Sequence, residues 1–317
     1  MFAKKRRMKP LRNRFRLMVM MAVMILATAC QSGQKGSGVL IQEVGQTDSP
    51  EGIESFNQIY HLYPSPAEML SVIDISEISF DGPLLNSTEK ADQYLDSKSK
   101  SLVLGVYMTD LAYSALFGRH EETLDYLETV KSLSEEISIT EALDESMIEK
   151  ARENVKFLDS LYNISNDAFI NILHFCEKNE RSNTVVYISA GAFIESLYLA
   201  VNMIDDYGTA QHLLQHLADQ KYTINNFMQF ASSVGKDDPG VEATLKDLEE
   251  IKLIYDRIEP GTGGVTVKAS ATTDAKEPKK LVFGSSETAS KPRLSEEEFN
   301  TLKMAVNELR TNTVRVK

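Results

Sequence analysis

Histidine, cysteine and the short motifs of hydrolytic chemistry are all scarce in this 317-residue chain. Five histidines are present, and the residues three positions before them are Gln58, Phe117, Asn171, Thr209 and Leu213. None is acidic, so the Glu-x-x-His pairs that build a carboxylate-bridged di-iron centre inside a helical bundle are missing. His212 and His216 stand at i, i+4 and share a helix face. Leu213 occupies the place of the general-base Glu that a zinc peptidase needs, which leaves two surface imidazoles as the better reading. The chain has no Gly-x-Ser-x-Gly elbow, and Gly261-Thr262-Gly263-Gly264 lacks the Lys-Ser/Thr of a phosphate loop. Glycosidase chemistry needs two particular carboxylates across a cleft, and 46 acids single out no pair. No catalytic residue, metal or cofactor is therefore assigned.

The N-terminus is the opposite of scarce in signal. Residues 1–29 carry eight Lys and Arg and no acid, and end in the apolar run Leu17–Ala29. Thirteen residues are too few to cross about 30 Å of hydrocarbon as a helix, which takes roughly 20. A basic stretch, a short apolar core and small residues before a cut site describe an export signal. Leu26-Ala27-Thr28-Ala29-Cys30-Gln31 resembles the lipobox of bacterial lipoproteins, with Ala27 where Leu is usual. The resemblance implies cleavage before Cys30 and lipidation of its thiol; the alternative is an ordinary signal peptide that leaves Cys30 free. Each buried acyl CH₂ contributes about 0.8 kcal/mol, and two or more chains hold a protein stably. By analogy with lipoprotein sorting in Gram-negative bacteria, Gln31 rather than Asp after the Cys, with no acidic export signal in Ser32-Gly33-Gln34-Lys35, implies the outer membrane and a periplasm-facing body.

Removal of those eight positive residues takes the net charge from −12 to −20. So acidic a body repels phosphate backbones and anionic surfaces, which excludes nucleic acid as a partner. With Cys30 lipidated, Cys176 has no intramolecular partner, and its apolar setting Ile172-Leu173-His174-Phe175 marks a packing thiol. Residues 31–54 are polar and rich in Gly and Ser, a tether between lipid and body.

From about 55 to 258 the sequence reads as helix after helix. Ser65-Pro66-Ala67-Glu68 combines an N-cap, Pro at N1 and Glu at N3. Asn86 with Glu89, Asp238-Pro239 and Ser295 with Glu298 repeat that start signal. Met147, Ala151, Val155, Leu158 and Tyr162 form one apolar stripe at helical spacing, and Leu245, Leu248, Ile251, Tyr255 and Ile258 form another. Leu102–Phe117 and Val185–Ile204 are apolar nearly all round, as buried helices are. Glu195, in the middle of the second, makes membrane insertion costly by a few kcal/mol and favours a central helix of a bundle.

These two segments resemble each other. Gly105-Val-Tyr107-Met108-Thr109-Asp110-Leu111 aligns with Gly191-Ala-Phe193-Ile194-Glu195-Ser196-Leu197 at an offset of 86, which also sets Thr123 on Thr209 and Leu127 on Leu213. Duplicated helical units stack because neither covers its own apolar face. The fold class predicted is all-α, a multi-helix bundle with an internal twofold repeat and two closely packed central helices. Pro260–Gly264 ends the helical region, and Val265–Ala269 with Leu281–Phe283 reads as a short β-hairpin or as an unstructured linker within 259–294. Phe299, Leu302, Val306 and Leu309 then mark a terminal helix within 295–317 that docks back.

Gly118-Arg119-His120 begins the Gly-x-His-x-x-Glu motif of imelysin-like periplasmic proteins but reaches Thr123 where Glu is required, which argues against that family. Leu104-Gly105-Val106-Tyr107 with Asp110-Leu111, and the later Gly191…Glu195-Ser-Leu-Tyr198, resemble an uncharacterised group of helical lipoproteins from Bacteroidota. The resemblance implies a helical body and carries over no activity.

Asp110 and Glu195 are isolated acids in the two most apolar helices, flanked by Tyr107 and by Tyr198 and Asn202. Buried acids are costly unless paired or hydrogen-bonded. Two readings stand: a structural polar network, or a pocket between the halves for a cationic or polyhydroxyl ligand. The leading expectation for function is a non-enzymatic, lipid-anchored binding or scaffold module, with an envelope protein or a small polar ligand as partner. The alternative is an envelope hydrolase or metal-dependent enzyme with its site between the central helices.

Overall fold

The computed structural model describes residues 65–71, 73, 78–143, 145–154, 157–235, 237–258, 266–268, 282–284 and 293–316. The signal segment, Cys30 and the tether lie outside the described residues. The body is an all-α multi-helix bundle. Its helices are α1 (Pro66–Leu70), α2 (Ser97–Leu116), α3 (His120–Glu136), α4 (Glu145–Glu153), α5 (Leu158–Lys178), α6 (Ser182–Asn202), α7 (Gln211–Val234), α8 (Pro239–Arg257) and α9 (Glu296–Thr313). Two strands of three residues, β1 (Thr266–Lys268) and β2 (Val282–Gly284), pair antiparallel with Val267 opposite Phe283.

The helix starts follow local chemistry. Ser65 and Ser295 each accept from the amide three residues on, while Glu68 and Glu298 reach back to the cap amide. Asp238 caps α8 by accepting from the amides of Gly240 and Val241, and also receives the Tyr187 hydroxyl and the Asn183 amide from α6. Burial at Ala67 and Leu70 of α1, Leu248, Ile251 and Tyr255 of α8, and Phe299, Leu302 and Val306 of α9 turns each stripe to one core.

Two local expectations are corrected. The stripe from Met147 to Tyr162 is not one helix: α4 closes at Glu153, where the Asn154 side chain bonds the Lys150 carbonyl, and Phe157 is extended before α5 begins. Asn86 does not cap a helix either. A 3₁₀ turn, Thr88–Gln93, follows it, and Asn86 itself is buried.

At the centre, α2 and α6 cross with their backbones in contact. A Cβ on Gly105 would lie 1.9 Å from the Ile188 carbonyl oxygen, and one on Gly191 would lie 1.8 Å from that of Leu102. The 86-residue offset maps Gly105 onto Gly191 and Leu102 onto Ile188, so the two contacts exchange with each other. Such reciprocity is what a twofold axis produces. Thr109 extends the joint, its hydroxyl lying 3.1 Å from the Gly105 carbonyl and 3.3 Å from that of Ala192. Helix α6 is long and apolar enough to cross a membrane by length and composition, and here it is buried inside the bundle.

Candidate functional site

One turn beyond the glycine crossing, α2 and α6 bring Asp110 and Glu195 together, both fully buried at 0% exposure. In the repeat register Asp110 matches Ser196 and Glu195 matches Thr109, so the acids are neighbours rather than symmetry mates. A third helix supplies the counter-charge. Arg310 of α9 bonds Glu195 with two of its nitrogens, Nε to Oε2 at 2.9 Å and Nη2 to Oε1 at 3.0 Å. Nη2 also donates to the Leu84 carbonyl at 3.1 Å, and the guanidinium lies 4.5 Å from the centre of the Tyr198 ring. This fork-to-fork geometry combines charge with two aligned hydrogen bonds and a stacked face.

Around that pair the segment 82–95 acts as a polar cover. The amide of Asn86 donates to Asp110 Oδ2 at 3.0 Å, its side-chain nitrogen to the Tyr94 hydroxyl at 3.1 Å, and its carbonyl accepts the Tyr126 hydroxyl at 3.1 Å. Tyr94 passes its own hydrogen to the Val314 carbonyl at the end of α9, and Tyr107 donates to the Ser87 carbonyl at 2.8 Å. Asn202 bonds the Tyr198 carbonyl and Asn307 of α9. Lys303 reaches the Ile204 carbonyl just past the end of α6, where a cation complements the helix dipole.

Of the five residues singled out in the sequence, Asp110, Glu195 and the ring of Tyr198 gather at Arg310, Tyr107 bonds the cover at Ser87, and Asn202 stands apart on the Tyr198 carbonyl and Asn307. The sequence reading missed Arg310, Asn86 and Tyr94. Arg310 closes an amphipathic helix rich in acid, so only its register, one turn after Val306 on the buried side, could have marked it.

Electrostatics follow from burial. Removal from water, and then the charge of Glu195, push the Asp110 carboxyl well above its ordinary range. Burial raises Glu195 as well, against which Arg310 pulls it down. Burial works against the charge of Arg310, and Glu195 more than restores it. Tyr107, Tyr126 and Tyr94 are all raised by burial and stay protonated donors.

Elsewhere the residue types that carry chemistry are dispersed. Among the described residues no three His, Cys, Asp or Glu side chains gather as a metal set. His212 is exposed, while burial takes His216 down to about 4 and its ring nitrogen lies 3.2 Å from the Gln220 amide. Cys176 is a free thiol at 0% exposure, pushed up to about 11 by burial. A surface cleft of about 490 Å³ lies between α4 and α5, with Ala142, Met147 and Phe175 on its apolar side and Glu141, Lys150 and Asp167 on its polar side. None of the five residues singled out in the sequence lines it. No protein-family model, curated protein or solved structure matches this chain.

Proposed function

We propose that the chain is a lipid-anchored protein of a bacterial envelope, attached through Cys30, whose helical body is a non-enzymatic binding or scaffold module facing the periplasm from the outer membrane. The observation that carries the second half is the fate of the two central acids. Asp110 and Glu195 are engaged by the fold, one with Asn86 and the other with Arg310, and neither borders the cleft at the surface. An acid held in a fork with a buried guanidinium is committed to structure, since freeing it leaves an uncompensated charge. The anchor rests on the signal and the lipobox-like residues 26–31.

Recognition then falls to the outside of the body. The cleft between α4 and α5 has the size and the mixed apolar and polar lining that suit a small polar ligand, and the acidic surface suits a basic envelope protein. Intact mass of the membrane-extracted protein tests the anchor: the N-terminus at Cys30 should carry two or three acyl chains, and Cys30→Ser should leave the protein in the soluble fraction. Absence of acyl mass would sink the anchor. Turnover of any envelope substrate that survives changes in the cleft but disappears in Asp110→Asn would sink the non-enzymatic reading.

A further inference from the structure

Two fully buried carboxyl groups meet one guanidinium, on a side chain 11% exposed, between α2, α6 and α9, and the hydrogen bonds do not close if both acids are ionised. Asp110 Oδ2 is satisfied by the Asn86 amide, but Asp110 Oδ1 is buried with no donor among the described residues. Arg310 donates through Nε and Nη2 to Glu195 and Leu84, and none of its donors bonds Asp110 Oδ1. A buried acceptor without a donor costs its full desolvation. The cost vanishes if Oδ1 carries a proton, because the side chain adjoins Glu195 and can donate to it. Like acids that touch share one proton by the same logic.

We propose that Asp110, Glu195 and Arg310 form a proton-dependent clasp: Asp110 is the neutral acid donating to Glu195, Glu195 is the anion that grips Arg310, and loss of the Asp110 proton to water loosens the terminal helix α9 from the bundle. With the proton in place the cluster is neutral, one anion against one cation. Without it, two adjacent anions face a single cation in the core, and some element must move to admit water.

The element that moves is α9. Helices α2 and α6 are joined by backbone contact at Gly105 and Gly191 and cannot part locally. Helix α9 docks through the buried Phe299, Leu302 and Val306, and its polar grip on the centre runs through Arg310, the Val314–Tyr94 and Asn307–Asn202 bonds and Lys303 on the Ile204 carbonyl. The cover 82–95 should follow, since it is bonded to both Arg310 and Asp110.

The groups facing Asp110 are known from each side. Helix α2 contributes Tyr107 and Tyr113, α3 contributes Tyr126, α6 contributes Glu195 and Tyr198, the cover contributes Tyr94, and α9 contributes Arg310. On α5 and α1, which also pack on α2, Tyr162 donates to Ala67 and Glu68 accepts from Ser65, while Asp167 and His174 are exposed. Burial and Glu195 both favour the protonated form of Asp110. A carboxyl raised in the folded state contributes stability that is complete below the ordinary carboxylate range. That contribution is lost as pH rises toward the folded value.

Hydrogen exchange followed by mass spectrometry, corrected for intrinsic rates, reads the clasp directly. In the wild type, opening at 296–313 and 82–95 should rise by up to about tenfold per pH unit above the ordinary carboxylate range, then level off. The segments 97–116 and 182–202 should keep their protection. Asp110→Asn keeps both hydrogen bonds without a titrating proton, so its protection at α9 should be flat with pH. Asp110→Asn with Glu195→Gln leaves Arg310 without a counter-ion and should lower protection at α9 by about a hundredfold. The proposal is overturned if wild-type opening is flat with pH, if Asp110→Asn keeps the wild-type slope, or if α9 and the central helices open together. Should Asp110→Asn fail to fold, infrared spectroscopy of the wild type decides. A protonated-carboxyl absorption at about pH 5.5, where ordinary carboxylates are ionised, supports the clasp, and its absence overturns it.

Discussion

Helices α2 and α6 meet at two joints one turn apart, and the two are made of opposite materials. At Gly105 and Gly191 the joint is backbone against backbone, with no charge and no room for a methyl group. At Asp110 and Glu195 it is charge and hydrogen bonds, and it is completed only by Arg310 from a helix 115 residues further along the chain. The first joint is steric: it depends on the shape of two helices and is insensitive to pH or salt. The second depends on protonation and on a removable third partner. One helix pair therefore has a fixed pivot beside an adjustable one.

The largest effect should come from filling the steric joint. Gly105→Ala or Gly191→Ala places a Cβ within 2 Å of a carbonyl oxygen, so the helices must separate; we expect a loss of about 3 kcal/mol or more in urea unfolding. The double variant should cost little more than either single one, since one crossing is spoiled once. Full additivity would mean the two glycines belong to separate contacts.

The electrostatic joint comes next. Arg310→Met should cost about 3–5 kcal/mol near neutral pH, because Glu195 is left buried without its partner. Without Arg310, burial raises the Glu195 carboxyl, so the penalty should shrink as pH falls through the carboxylate range and Glu195 protonates. A loss independent of pH would assign the effect to lost packing of the guanidinium on Tyr198 instead.

A third change probes an acid of the opposite kind. Asp238 is half-buried, and the Val241 amide and the Tyr187 hydroxyl hold its carboxyl below the ordinary range. Its contribution is therefore present above the unfolded value and lost as pH falls through the folded one, the reverse of Asp110. Asp238→Ala should cost about 1–2 kcal/mol at neutral pH, measured by thermal unfolding, and progressively less in acid. The smallest effect belongs to His212→Gln, an exposed position on α7, which should shift stability by no more than about 0.5 kcal/mol with or without added zinc. A zinc-dependent stabilisation lost in this variant would restore the histidine pair as a metal site.

The two joints also differ in how readable they were. The steric joint could be seen in the chain, because glycines inside otherwise apolar helices at a fixed offset announce close approach. The acids could be seen too, since Asp110 and Glu195 interrupt apolar segments. Their relation could not. Sequence offers no measure of distance between α2 and α9, and Arg310 sits in a helix that reads as an ordinary amphipathic surface element. Asn86 was misplaced for a related reason: Asn before Glu at the right spacing looks like a cap, and only the cover's position over Asp110 turns its amide inward. The break between α4 and α5 escaped notice because no Pro or Gly stands between Glu153 and Leu158.

Residue pattern alone settled what depends on neighbours along the chain: helix starts at Ser65, Asp238 and Ser295, the burial of α2 and α6, and the all-α class. Tertiary structure decided which charges meet, because Coulombic and hydrogen-bond partners are chosen by distance in space. The cation that neutralises the core lies 115 residues from its anion, beyond the reach of any local period.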